Sequence, residues 1–152
     1  MLNFSFVHED TRIVWAVRKL LDLINSVVTA TATEIGSVSA DSTSSNTPVI
    51  MLGMTITPEP GKYLVTLGGD IDIPPSNTAF LGIAIDTVVQ APSGRIINCT
   101  DAGTPPVSNF LTCFSSQSIV TVNGSQEIQG IWSVSSGTAT TTHRQMTLVK
   151  VN

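Results

Sequence analysis

A mainly β chain, an antiparallel β-sandwich preceded by a short N-terminal helix, is what this sequence predicts, on three observations. From Pro48 onward, apolar residues alternate with polar ones at the period of strands, and turn residues recur roughly every 8 to 15 positions. One stretch alone, Ile13 to Val28, carries apolar residues at helical spacing. Charge is scarce: 12% of the 152 residues are Asp, Glu, Lys or Arg, against about 25% in soluble proteins. Ser and Thr supply roughly a quarter of the chain, so its polarity is mostly hydroxyl, and Thr and Val suit a pleated surface.

The first segment, residues 1–28, reads as a helical anchor or trimerisation element. Ile13, Val17, Leu20, Ile24 and Val27 follow one another at heptad spacing, with β-branched Val17 and Ile24 at one seam position and Leu20 at the other. Val14, Leu21 and Val28 widen the stripe, which fits a trimer or a helix docked on another protein, or a helix packed on its own domain. Asp10 or Thr11 suits the N-cap, with Glu9 and Asp10 near the positive end of the helix dipole. Trp15 lies off the seam and is expected to face outward as an anchor. Residues 29–47, rich in Ala, Ser and Thr, read as an extended linker with room for a short strand inside Thr29–Ile35.

The third segment, residues 48–152, is the expected β domain. Ile50, Leu52, Met54 and Ile56 alternate with smaller residues before the turn at Pro58–Gly61. In Lys62–Ile73, Tyr63, Val65, Leu67, Ile71 and Ile73 share one face, while Asp70 and Asp72 share the other. Ala79–Val89, with Leu81 and Ile83, is apolar on both faces and predicts a central strand or a subunit contact. Arg95–Asn98, Phe110–Phe114 and Ile119–Val122 are further strands, and Asn123-Gly124 predicts a hairpin turn into the next. In that run Ile128, Gly130, Trp132 and Val134 face the core, with Gln129 and Ser133 opposite. Thr138–Val151, with Met146 and Leu148 inward, closes the domain. The expected core is thus Tyr63, Val65, Leu67, Ile71, Leu81, Ile83, Ile128, Trp132, Val134, Met146 and Leu148.

Composition also bounds function. A net charge of −4 with scattered basic residues argues against nucleic-acid binding. No apolar run approaches the roughly 20 residues that span a bilayer, and the start lacks the basic, apolar pattern of an export signal. A mean hydropathy of +0.28 predicts apolar surface shared between subunits. Cys99 and Cys113 have neither zinc spacing nor a disulfide framework, and are expected as reduced, partly buried thiols.

Motifs of chemistry are sparse. His8 and His143 are the two histidines and form no metal-ligand pattern, and no G-x-S-x-G nucleophile motif accompanies His143. Asp70 and Asp72 stand two apart on one strand face, an arrangement that suits calcium but more simply a solvated polar face. Gly68-Gly69 lacks phosphate-loop spacing and predicts a bulge or a close backbone approach. No cofactor, metal or catalytic set is expected.

The run Pro60-Gly61-Lys62-Tyr63, continuing LVTLGGDID, resembles the opening of the trimeric jelly roll of the tumour-necrosis-factor and complement globular-head family. The closing runs, Ile128–Trp132, Gly137–Thr140 and Arg144–Val151, are similar to the last strands of bacteriophage structural proteins with that fold. The resemblance spans residues 48–152 and implies an antiparallel jelly-roll sandwich assembled as a homotrimer. With the N-terminal helix, it implies a non-enzymatic phage virion component, a capsid decoration protein or short head fibre, assembled in the host cytoplasm and displayed on the virion surface. Its partners would be two further copies and the major capsid protein or another virion protein. The alternative is a receptor-binding fibre tip, with loops Gln90–Gly94 and Asp101–Asn109 contacting a host surface glycan or protein.

Overall fold

The computed structural model describes residues 14–21, 32–91, 93–99 and 109–151. A helix, α1, occupies residues 14–21 and belongs to one unit of the chain, while Ala32–Val151 forms another. The sandwich contains β1 (Ala32–Ser37), β2 (Asp41–Thr43), β3 (Val49–Ile56), β4 (Gly61–Ile73), β5 (Thr78–Ile85) and β6 (Val88–Val89). It continues with β7 (Arg95–Asn98), β8 (Phe110–Val122), β9 (Ile128–Val134), β10 (Ala139–Thr141) and β11 (Arg144–Val151).

Two antiparallel sheets face each other. One runs β1-β11-β4-β10-β2, with β8 on the other side of β4; the second runs β3-β9-β5-β6, with β7 also on β5. Setting aside the short β2, β6 and β10, the first strand pairs with the last, β1 with β11. The next pairs follow inward: β3 with β9, β4 with β8, β5 with β7. That nesting is the wrapped hairpin of a jelly roll, and it bears out the predicted fold class.

Alternation along β4 explains the core. Tyr63, Val65, Leu67, Ile71 and Ile73 point inward from it and meet Met146 and Leu148 of β11, Leu81 and Ile83 of β5, and Ile128, Trp132 and Val134 of β9. Every core residue named from the sequence is buried. Met51, Met54, Phe114, Val120 and Val122 complete the cluster. Gly130 is held small by Leu67 and Met54, which an added Cβ would crowd.

Several boundaries differ from the sequence reading. The segment expected as a linker, residues 29–47, contains β1 and β2, so the sandwich begins at Ala32 rather than Pro48. β1 adds to the edge of β11 through six consecutive residue pairs. The sequence left room for a short strand inside Thr29–Ile35, and β1 overlaps it at Ala32–Ile35; backbone pairing needs no side-chain bulk to hold it. Phe110–Phe114 and Ile119–Val122 are one strand, because Ser116 and Ser118 are tolerated inside: both are buried, and the Ser116 hydroxyl donates to the Ser93 carbonyl. Thr138–Val151 is broken at Thr142-His143 into β10 and β11.

The run Ala79–Val89 folds back at Asp86-Thr87, both at positive φ (47° and 70°), which makes the tight turn between β5 and β6. Asn123-Gly124 is a turn, with Gly124 at φ 90°, but it is no hairpin: β8 and β9 lie in different sheets. In β9 the face opposite Trp132 is also covered, with Gln129 and Ser133 both buried. Cys99 is buried and Cys113 exposed, and both are free thiols.

Candidate functional site

Helix α1 presents apolar side chains to water. Val14, Val17, Leu20 and Leu21 are each about half exposed, and Trp15 is 64% exposed with the Lys19 ammonium 5.5 Å from its ring centre. Trp15 is the most exposed of these, but every residue of α1 is exposed, seam positions included. Ile13, Ile24 and Val27, the N-cap candidates Asp10 and Thr11, and His8 lie outside the described residues. A short helix gains most of its stability by burying its apolar face against a partner rather than from intrinsic propensity. Val17, Leu20 and Leu21 are the apolar residues of α1 that burial of this kind would use.

A second feature sits where β10 hands over to β11. The long strand β4 pairs with β10 at Asp72 and with β11 from Gly69, leaving Thr142 and His143 between the two ladders. Asp70 fills that gap. Its Oδ1 accepts the amide N–H groups of Thr142 (2.7 Å) and His143 (3.0 Å) and the Thr141 hydroxyl (3.1 Å). Its Oδ2 accepts the Thr142 hydroxyl at 2.7 Å and lies 2.9 Å from His143 Nδ1. Partial burial alone would raise the carboxyl pKa. The hydrogen bonds from His143 and Thr142 outweigh it and hold Asp70 well below the usual carboxylate range. Gly69 makes the close approach predicted for Gly68-Gly69: an added Cβ would overlap the His143 carbonyl oxygen.

This cluster has the look of a Thr-His-Asp relay but not its geometry. In a relay the imidazole takes the nucleophile's proton on one nitrogen and faces the carboxylate with the other. Here the Thr142 hydroxyl and the Asp70 carboxylate both meet Nδ1. The arrangement is a turn clamp. Asp72, expected beside Asp70 on a solvated face, is half-buried, its Oδ2 accepting from Asn109 Nδ2 at 3.0 Å and its Oδ1 without a partner among the described residues. Among the described residues no group of three His, Cys, Asp or Glu gathers as a metal site.

Beside the clamp a groove of about 500 Å³ opens over Gly36, Gly68 and Gly69, with Glu34, His143 and Gln145 at its walls. Gly36 and Gly68 are both register partners of Gln145, so three adjacent strands contribute only one long side chain there. Arg144 also borders it but turns its side chain inward and is 2% exposed. Its Nε donates to the Leu52 carbonyl at 2.8 Å and Nη1 to the Ser39 carbonyl at 2.7 Å, while Nη2 has no partner among the described residues. Arg144 thereby ties β11 to β3 and to the β1–β2 connection. Its burial follows from where β11 lies against β3, not from any local pattern in the sequence.

The structure brings Asp70 and His143 together across more than seventy residues, a pairing the sequence did not reveal, because only the register of β4 against β10 and β11 sets it. Of the loops proposed for receptor contact, Gln90–Gly94 folds back on the sheet: the Ser93 hydroxyl bonds the N–H and C=O of Ile83. Asp101–Asn109 lies outside the described residues except for Asn109. No helix among the described residues is long and apolar enough to cross a membrane. No known protein-family model matches the chain, and no curated protein matches it either.

Proposed function

We propose that this chain is a non-enzymatic structural protein of a bacteriophage virion, a homotrimer held to the capsid surface by its N-terminal segment as a decoration protein or short head fibre. The observation that carries the attachment is the apolar face of α1, where Val14, Val17, Leu20 and Leu21 stand half exposed. The jelly-roll nesting of the strands agrees with the family that the closing runs resemble. Scarce charge and exposed Ile119, Leu111 and Ile96 agree with a subunit that meets further copies. The capsid or another virion protein is the partner this reading assigns to the helix.

Deleting residues 1–31 tests it, since the sandwich unit starts at Ala32. The expected result is a folded β domain that no longer joins particles assembled in infected cells. A truncated chain that still decorates particles would remove the anchor role. A second reading, a tip that binds a host glycan, is favoured by the glycine-floored groove, whose Glu34, Gln145 and His143 suit a hydroxyl-rich ligand. Glycan-array binding by the full chain that is lost in Gln145→Ala would select it over the first.

A further inference from the structure

The sandwich has two lateral flanks, and they differ. At one side the sheets end in β1 and β3, which touch; at the other they end in β8 and β7, where Ser116 of β8 bonds to Ser93 beside β5. Both flanks are apolar at the surface: Val49, Ile50 and Leu52 on β3 with neighbouring Val38, and Ile96 of β7 with Leu111 and Ile119 of β8. Charge avoids both. Residues 42–58 and 102–126, which include all of β3 and all of β8, contain no Asp, Glu, Lys, Arg or His.

The β8 edge is bare in a further sense. It pairs with β4 through thirteen consecutive positions with no bulge. The Asp70 N–H points to His143, away from β8, so Asp70 and Cys113 form a non-hydrogen-bonded pair. The backbone groups of Leu111, Cys113, Ser115, Gln117, Ile119 and Thr121 therefore point outward, and no other described strand receives them. A long, flat, uncharged edge is the kind that natural sheets protect with Lys, Pro or a bulge. Here none of those devices is present in β8.

We propose that the two flanks are the two halves of one interface: the β7–β8 flank of one protomer is covered by the β1–β3 flank of a second copy. Non-equivalent patches on opposite sides make a head-to-tail contact, which closes into a ring when the rotation allows. A second copy is the occupant because the chain carries net charge −4, and these flanks are where two acidic copies meet without repulsion. The only Asp, Glu, Lys or Arg side chains on the four edge strands have opposite signs, exposed Arg95 on β7 and exposed Glu34 on β1. The proposal rests on the homotrimer reading and supplies its contact.

The test uses the full chain at micromolar concentration and analytical ultracentrifugation. Ile119→Lys breaks one flank and Leu52→Lys the other, with Gln117→Lys, at a position already exposed and polar, as the β8 variant least able to disturb folding. Wild type is expected at three times the 16.0 kDa chain mass, and each variant at one. Mixing Ile119→Lys or Gln117→Lys with Leu52→Lys is expected to give a two-chain species that grows no further, since one intact pair of flanks remains. Folded variants that keep the three-chain mass would overturn the flank assignment while leaving the trimer standing. A mixture that stays single-chain would overturn the head-to-tail pairing. Wild type at one chain mass would remove both this proposal and the homotrimer reading.

Discussion

Strands β8 and β9 follow one another in the chain, yet one is exposed on its outer face and free at an edge while the other is enclosed on every side. β9 lies between β3 and β5, and all seven of its residues are buried. β8 alternates strictly from Phe114 to Val122, with Phe114, Ser116, Ser118, Val120 and Val122 inward and Ser115, Gln117, Ile119 and Thr121 in water. Their compositions do not explain this: β9 holds Gln129 and Ser133, while β8 exposes Ile119 and Leu111. Position in the sheet decides burial, and the side chains are then satisfied locally. Gln129 shows how. Its Oε1 accepts the Thr87 N–H at 2.9 Å and its Nε2 donates to Glu127 Oε2 at 2.8 Å, so its amide caps the β5–β6 turn.

The largest expected break is at the centre of β9. Trp132 is 1% exposed and touches the core shared by both sheets. Trp132→Ala removes the largest buried side chain and leaves a cavity, so it should cost about 3–5 kcal/mol of unfolding free energy. Urea denaturation followed by circular dichroism measures it, and a loss below 1 kcal/mol would mean that β9 is not the sandwich centre. Gln129→Ala, on the same strand, leaves the Thr87 amide without its acceptor and should cost about 1–3 kcal/mol. Both Gln129 effects should be read at the β5–β6 turn, where hydrogen exchange of Thr87 is expected to quicken.

Much of this was legible beforehand because side-chain alternation records which face meets the core. The eleven core residues and the close approach at Gly69 both follow from period and residue type. What stayed hidden depends on partners far along the chain. A strand near β1 was allowed by the sequence, but its place was not, because Ala32, Thr33 and Gly36 bury little and backbone pairing to β11 fixes it. The Asp70–His143 clamp needs the register of β4 against β11, which no local pattern carries. The burial of Gln129 and Ser133 required knowing that β9 has neighbours on both edges and cover on both faces. The burial of Arg144 depends on its acceptors, the Leu52 and Ser39 carbonyls, which lie some ninety and one hundred residues away in the chain.

On β4, directly between β8 and the β10–β11 corner, Asp70 gives a pH-dependent contrast. Its pKa is depressed in the folded state, against about 4 for an ordinary carboxylate. A depressed folded value means that stability is fully present above the unfolded pKa and is lost as pH falls through the folded one. Asp70→Asn should therefore lower the melting temperature above about pH 5, and the gap to wild type should narrow as the pH falls below about 4. A gap that widens in acid would reverse the sign and rule out the clamp as a source of stability.

The smallest expected effect completes the comparison, because it uses the residue type already removed from β9. Gln117 of β8 is exposed, faces away from the core and makes no side-chain hydrogen bond to the described residues. Truncating it removes neither a buried contact nor a partner for another group. Gln117→Ala should shift the unfolding free energy of the sandwich by less than about 0.5 kcal/mol, the range for surface changes away from special features. The same substitution at Gln129 should cost several times more, with the chemistry deleted held constant. Equal losses at the two positions would show that the amide matters through intrinsic strand preference, whereas the unequal losses expected here tie it to the Thr87 amide that only β9 can reach.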